Sequence, residues 1–213
     1  MKRIVFWFDV ISPFVHLAFE RLPQVLEGCS YEVAYRPLLL AALLQHHGQK
    51  GPAEIDSKRA WTFRHVHWLA EQQGMQLDTP ATHPFNPLAL QRLALACAPA
   101  GGLPNRRVVQ TLLAHVWHGG GDASDAARLA ALSAELAPVR DPAGADVKAE
   151  LRAHSEEAIA CGVFGVPSFE LDGRVFWGLD SLPMLRAALQ GEPWFDGPAW
   201  QREGAPRAGV RRG

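Results

Sequence analysis

Ser12, in the run Phe8-Asp9-Val10-Ile11-Ser12-Pro13-Phe14, is the residue whose type and setting suggest chemistry. An apolar stretch ends there, and a proline suited to the first turn of a helix follows. Ser12 therefore falls at an N-cap, among main-chain amides that have no helical partner. Such a terminus stabilises an anion through its N–H groups and the helix dipole. A serine hydroxyl without a base is a poor nucleophile, and no His and Asp can be assigned as its partners from sequence. It can still donate a hydrogen bond. The anion that fits best is an external thiolate, because charge-assisted bonds lower a thiol's pKa. Ser12 and Val15 occupy the two positions of a Cys-x-x-Cys spacing, so this site cannot itself exchange thiols and disulfides. The alternative is that Ser12 is an N-cap and nothing more, the favoured reading for an isolated Ser-Pro.

The elements that would position Ser12 follow from the apolar pattern. Residues 2–10 read as a buried central strand and 13–27 as a helix ended by Gly28, while 31–36 alternate like a second strand. These form a β-α-β unit with parallel strands. Helical spacing then recurs through 58–73, 87–98, 105–118, 124–137 and 146–160, separated by Gly and Pro. After Gly162 come 168–171, the turn pair Asp172-Gly173, and 174–177, a hairpin with the Asp-Gly that a type I′ turn prefers, and then a helix over 182–190. The order β-α-β, helices, β-β-α predicts an α/β thioredoxin-like fold with a large all-helical insertion. The expected division is 1–37 with 162–190 for the thioredoxin-like domain, 38–161 for the insertion, and 191–213 for a tail that covers a surface or frays.

A second motif raises Ser12 above plain capping. Gly162-Val163-Phe164-Gly165-Val166-Pro167-Ser168-Phe169 lies between a helix and a hairpin, where thioredoxin folds place a cis proline facing the first helix. A cis bond there frees the N–H and C=O of Val166 to pair with a peptide alongside, as an added strand would.

The chain resembles the 2-hydroxychromene-2-carboxylate isomerases and kappa-class glutathione transferases of the DsbA-like branch of the thioredoxin superfamily. The likeness runs from Arg3 to Gln190. It rests on FDVISPF at 8–14, GQKGPAEIDSK at 48–58, HPFNPLAL at 83–90, GVFGVPSF at 162–169 and DGRVFWGLDSL at 172–182. The resemblance implies glutathione as cofactor, with Ser12 holding its thiolate, Val166 pairing with its cysteinyl backbone and Pro167 cis. It implies that Gln49 and Lys58 bind the tripeptide, Lys58 at a carboxylate, and that Asp180 and Ser181 receive the γ-glutamyl end. Asn86 falls beside the substrate pocket, which Phe14 lines. The activity implied is isomerisation of a small aromatic 2-oxo acid by thiolate addition, rotation and elimination, in a homodimer. The alternatives are kappa-type conjugation or peroxide reduction, and a non-catalytic glutathione-binding protein. Trp61, His65 and Ser181 stand where relatives are expected to carry tyrosine, aspartate and arginine, so contacts to either ligand are altered there.

Composition narrows the field. A net charge of -1 gives no electrostatic case for nucleic acid or an anionic bilayer. No apolar run reaches the length of a membrane span, and Asp9 interrupts the N-terminal run before a signal peptide is complete, so a cytoplasmic protein is expected. The three cysteines suggest neither a disulfide framework nor a zinc site and read as small core residues. No third ligand joins His115 and His118, and His16 reads as a packed histidine. The tryptophans at 61, 68 and 117 suit core or dimer contacts. Gly119-Gly120-Gly121 lacks the residues of a phosphate loop and reads as a cap and linker, which disfavours nucleotides.

Overall fold

The computed structural model describes residues 1–201. Four strands, β1 (Lys2–Phe8), β2 (Tyr31–Pro37), β3 (Ser168–Leu171) and β4 (Arg174–Trp177), form one sheet in the order β2-β1-β3-β4. β1 and β2 are parallel, with Lys2 opposite Tyr31 and Phe8 opposite Pro37. The parallel pair requires a crossover, supplied by α1 (Pro13–Val25). β3 runs antiparallel to both β1 and β4, and Asp172 and Gly173 both take positive φ in the tight turn, as the hairpin signal predicts.

Between β2 and β3 lie α2 (Leu40–His46), α3 (Asp56–Gln72), α4 (Leu88–Ala96), α5 (Arg106–Trp117), α6 (Ala126–Leu136) and α7 (Ala145–Ala160). α8 (Leu182–Leu189) follows β4, and a short α9 (Pro198–Gln201) follows it. This is the thioredoxin-like α/β arrangement that the sequence predicts. α2 is the addition: seven residues are too few to carry a readable helical period.

β1 is the axis of the core. Ile4, Phe6, Trp7 and Phe8 are all fully buried, and Phe6 stacks on Phe169 of β3 with ring centroids 4.7 Å apart. Removing each such side chain from water contributes roughly 1.5–3 kcal/mol. α1 adds Val15, Leu17, Ala18, Phe19 and Leu22 to the same core, which continues into α5 through Val116 and Trp117. α8 packs against α1, β3 and β4, while α4 and α7 lie against β2.

One expectation is corrected. Cys161 is exposed rather than a core residue, because it caps the end of α7 and projects outside the packed face. Of the helical tryptophans expected in the core or at a dimer contact, Trp117 is core, while Trp61 and Trp68 are exposed on α3. The tail expected at 191–213 is described only to residue 201. Phe195 is buried there and Trp200 packs on Phe176, so this part covers the β4 side of the sheet.

Candidate functional site

The site begins where β1 stops. Asp9 is fully buried, and its carboxylate accepts the Ile11 amide at 3.1 Å and the Leu40 amide at 2.9 Å. Its main-chain carbonyl accepts the Ser12 amide at 3.1 Å, closing a turn over residues 9–12. Burial pushes the Asp9 carboxyl up to about 7, against the opposing pull of its two amide donors. From sequence Asp9 carries no assigned role. The available signal was an acidic residue ending an otherwise apolar strand.

Ser12 then occupies the N-cap of α1, with Pro13 in the first turn. Its side chain makes no capping hydrogen bond, so the hydroxyl does not spend itself on the helix. The amides of Val15 and His16 return to the Ser12 carbonyl. Ser12 is mostly shielded, at 8% exposure, and two residues later Phe14 enters the wall of a cleft.

That cleft has a volume of about 580 Å³. One wall is a single face of α1, since Phe14, Arg21 and Val25 at i, i+7 and i+11 fall within about 40° of one another around a helix. The opposite wall is His65, Leu69 and Gln73 along α3 and its end. Val166, Pro167 and the stretch from Trp177 to Pro183 close it, apart from Ser181. The Val166–Pro167 bond is cis. Among the described residues, neither the N–H nor the C=O of Val166 has a hydrogen-bond partner, and an extended peptide can pair with both.

Phe14, Val166, Pro167 and Asp180 thus meet in one cleft; Ser12, the N-cap two residues before Phe14, is not among the residues that line it. Asp180 is exposed, near Gly178, where a side chain would collide with its Oδ1. Ser181 is buried, and its hydroxyl donates to the Gly178 carbonyl at 2.8 Å. Gln49 and Lys58 are exposed on the segment leading into α3 and on α3 itself, and neither lines the cleft. Asn86 lies in a different, smaller pocket of about 350 Å³ with Arg92, Ser124 and Leu129, and its Oδ1 accepts the Leu88 amide at 3.0 Å. Arg21, Leu69, Trp177 and Leu182 carry no motif, and only helix-face spacing could have marked the first two.

Of the substituted positions, His65 lines the cleft, whereas Trp61 and Ser181 do not. His65 stacks between Trp61 and Trp68, at 6.1 and 6.5 Å between centroids, and meets the edge of Phe14 at 5.9 Å. Among the described residues no cluster of three or more His, Cys, Asp or Glu can hold a metal ion. None of the described helices is long and apolar enough to cross a membrane.

A turn-presented hydroxyl, a cis proline facing a shared cleft and the strand order together describe one fold family. The family model of the DSBA-like thioredoxin domain matches residues 3–190. The chain belongs to this family. Among its relatives, a 2-hydroxychromene-2-carboxylate isomerase of Sphingobium xenophagum is 29% identical over 199 residues, covering 88% of this chain and 98% of that protein. Glutathione S-transferase kappa 2 of Caenorhabditis elegans is 26% identical over 230 residues, covering 97% and 98%. The solved structure of a 2-hydroxychromene-2-carboxylate isomerase superposes with a TM-score of 0.76 at 22% identity, over 91% of this chain and 97% of that one. That likeness supports the DSBA-like fold.

Proposed function

We propose that this protein is a glutathione-dependent isomerase acting on a small aromatic 2-oxo acid of the 2-hydroxychromene-2-carboxylate type. The observation that carries the reading is a shielded Ser12 hydroxyl, free of any capping bond, at a helix N-terminus beside a cleft that Val166 and cis Pro167 help to line. The isomerase relatives supply the reaction class.

The residues present fit glutathione. The unpaired Val166 main chain suits the cysteinyl peptide, and the exposed Asp180 carboxylate suits the γ-glutamyl ammonium. Gln49 and Lys58, outside the cleft lining, are assigned to glutathione by the resemblance alone, Lys58 at a carboxylate. Ser181 lies beside Asp180, and its hydroxyl oxygen retains acceptor capacity while its proton is held by Gly178. When bound, glutathione supplies a thiolate nucleophile and leaving group. The protein's own part is electrostatic and positional. Ser12 donates its hydroxyl proton to the sulfur anion, the α1 amides add their partial positive charge, and both favour ionisation near neutral pH. Phe14, Leu69, Val25 and Leu182 form an apolar surface that suits an aromatic ring and limits water around it. Asn86 opens into the separate smaller pocket and is given no contact with the substrate in this cleft. The reading also includes a cytoplasmic location, where glutathione is kept reduced, and a homodimer.

The kappa-class relatives favour a second reading, conjugation or peroxide reduction by glutathione. An assay with trace glutathione separates the two. The isomerase reading expects many turnovers of 2-hydroxychromene-2-carboxylate for each glutathione present, with none consumed. Stoichiometric loss of glutathione to chlorodinitrobenzene without isomerisation replaces it with the transferase. Binding without either activity leaves a glutathione-binding protein.

A further inference from the structure

The peptide unit joining Ile11 to Ser12 is bound at both ends. Its N–H donates to the Asp9 carbonyl, and its C=O accepts from His83 Nε2 at 2.9 Å. One residue earlier, the Val10 carbonyl accepts the indole N–H of Trp117 at 2.9 Å. The whole turn that presents Ser12 is therefore fixed by side chains reaching across from the helical segment. His83 belongs to a stretch of sequence that the glutathione contacts do not use, between α3 and α4.

A carbonyl can only accept, so His83 must carry its proton on Nε2, leaving Nδ1 bare. Nδ1 is buried and has no partner among the described residues. The ring is boxed by Phe63, Phe85 and Trp117 at 5.1, 6.1 and 5.9 Å between centroids. An uncharged imidazole fits that box, and burial holds its basicity below that of an ordinary histidine. A doubly protonated ring would bury an unmatched donor. Trp117 serves twice, as wall of the box and as donor to the adjacent carbonyl. A rotation of the Ile11–Ser12 peptide would break both of that unit's bonds and swing the Ser12 side chain with it.

We propose that His83 is a positioning residue: through the Ile11 carbonyl it fixes the direction of the Ser12 hydroxyl. It is not among the residues that line the cleft. The proposal rests on the glutathione reading, because the alignment of Ser12 matters only if it addresses a sulfur anion. A misplacement of about 1 Å in such a group can cost on the order of a hundredfold in rate, so the effect is measurable.

His83→Leu removes the donor, and His83→Gln keeps an amide N–H of similar reach. With glutathione as the probe, thiolate absorbance is titrated against pH for the wild type and both variants, and kcat and KM are measured in parallel. The expected result is a bound-thiol pKa raised in H83L and restored toward wild type in H83Q. A kcat lowered roughly 10-fold or more in H83L, with KM for glutathione within about twofold, completes it. If H83L matches the wild type, or if H83Q is no better than H83L, the positioning role is overturned while the glutathione reading stands. If the wild type shows no bound thiolate at all, the reading itself fails and takes the proposal with it. Nitrogen NMR of His83 in the ligand-free wild type decides the geometry even where H83L does not fold. An Nε2–H tautomer in contact with the Ile11 carbonyl supports the proposal, and an Nδ1–H tautomer overturns it.

Discussion

The Leu40 amide donates to the Asp9 carboxylate at 2.9 Å, tying the end of β1 to the first turn of α2. The same carboxylate takes the Ile11 amide, so one buried acid couples the Ser12 turn to the helical segment. Such a group in the dry interior makes stability depend on pH. With burial raising Asp9 from 3.8 to about 7, the folded protein holds a proton that the unfolded chain has already released between those values. The native state binds more protons there, so the Asp9 contribution to stability is full below the unfolded value and is lost as pH rises through the window. Asp9→Asn flattens that dependence. It also costs about 1–3 kcal/mol, because an amide cannot accept from both main-chain donors. Urea unfolding at a series of pH values measures both effects, and an unchanged slope in the variant contradicts the assignment.

Ser12→Ala separates capping from chemistry. Loss of an N-cap hydrogen bond ordinarily costs about 1 kcal/mol. The Ser12 hydroxyl makes no such bond, so the variant is expected to unfold within about 0.5 kcal/mol of wild type while its isomerase activity falls steeply. Thermal unfolding and the assay, run on the same preparation, check this. A stability loss of a full kcal/mol with activity retained assigns Ser12 to the helix alone.

Gly178 sits at φ 95°, and an added methyl group would also strike the Asp180 carboxylate. Gly178→Ala is expected to destabilise the fold by about 1–2 kcal/mol and to weaken glutathione binding by displacing Asp180. Gly28→Ala is the control, since Gly28 has φ 80° with open space around it. It carries a similar backbone cost and leaves binding unchanged. Calorimetric titration of both variants is the measurement, and equal losses of affinity contradict the role of Asp180.

What sequence made legible here was local, or local in two places at once. The apolar strand 2–8, the Pro13 helix start, the Asp172-Gly173 turn and the proline at 167 each declare themselves within a few residues, and their order yields the topology. The cleft was only half legible. Phe14, Val166, Pro167 and Asp180 belong to motifs, whereas Arg21 and Leu69 enter it through helix phase and inter-helix packing, which no short pattern encodes. Asn86 was expected beside the substrate pocket, yet the start of α4 places it in a separate one. The clamp on residues 9–12 was the least visible part. Its members lie 31 to 107 positions from their partners, so pairings between Asp9 and Leu40, Ile11 and His83, or Val10 and Trp117 exist only once the chain is folded. Position 65 shows the same limit: histidine was a departure on paper and is a stacked wall of the cleft in space.

The central claim is that this protein shelters the sulfur anion of a bound tripeptide with the Ser12 hydroxyl. Difference absorbance at the thiolate band, recorded as glutathione is added near neutral pH, tests it most directly. A saturable thiolate signal that falls away in Ser12→Ala is the predicted result. No signal with the wild type, or an equal signal with the variant, contradicts it.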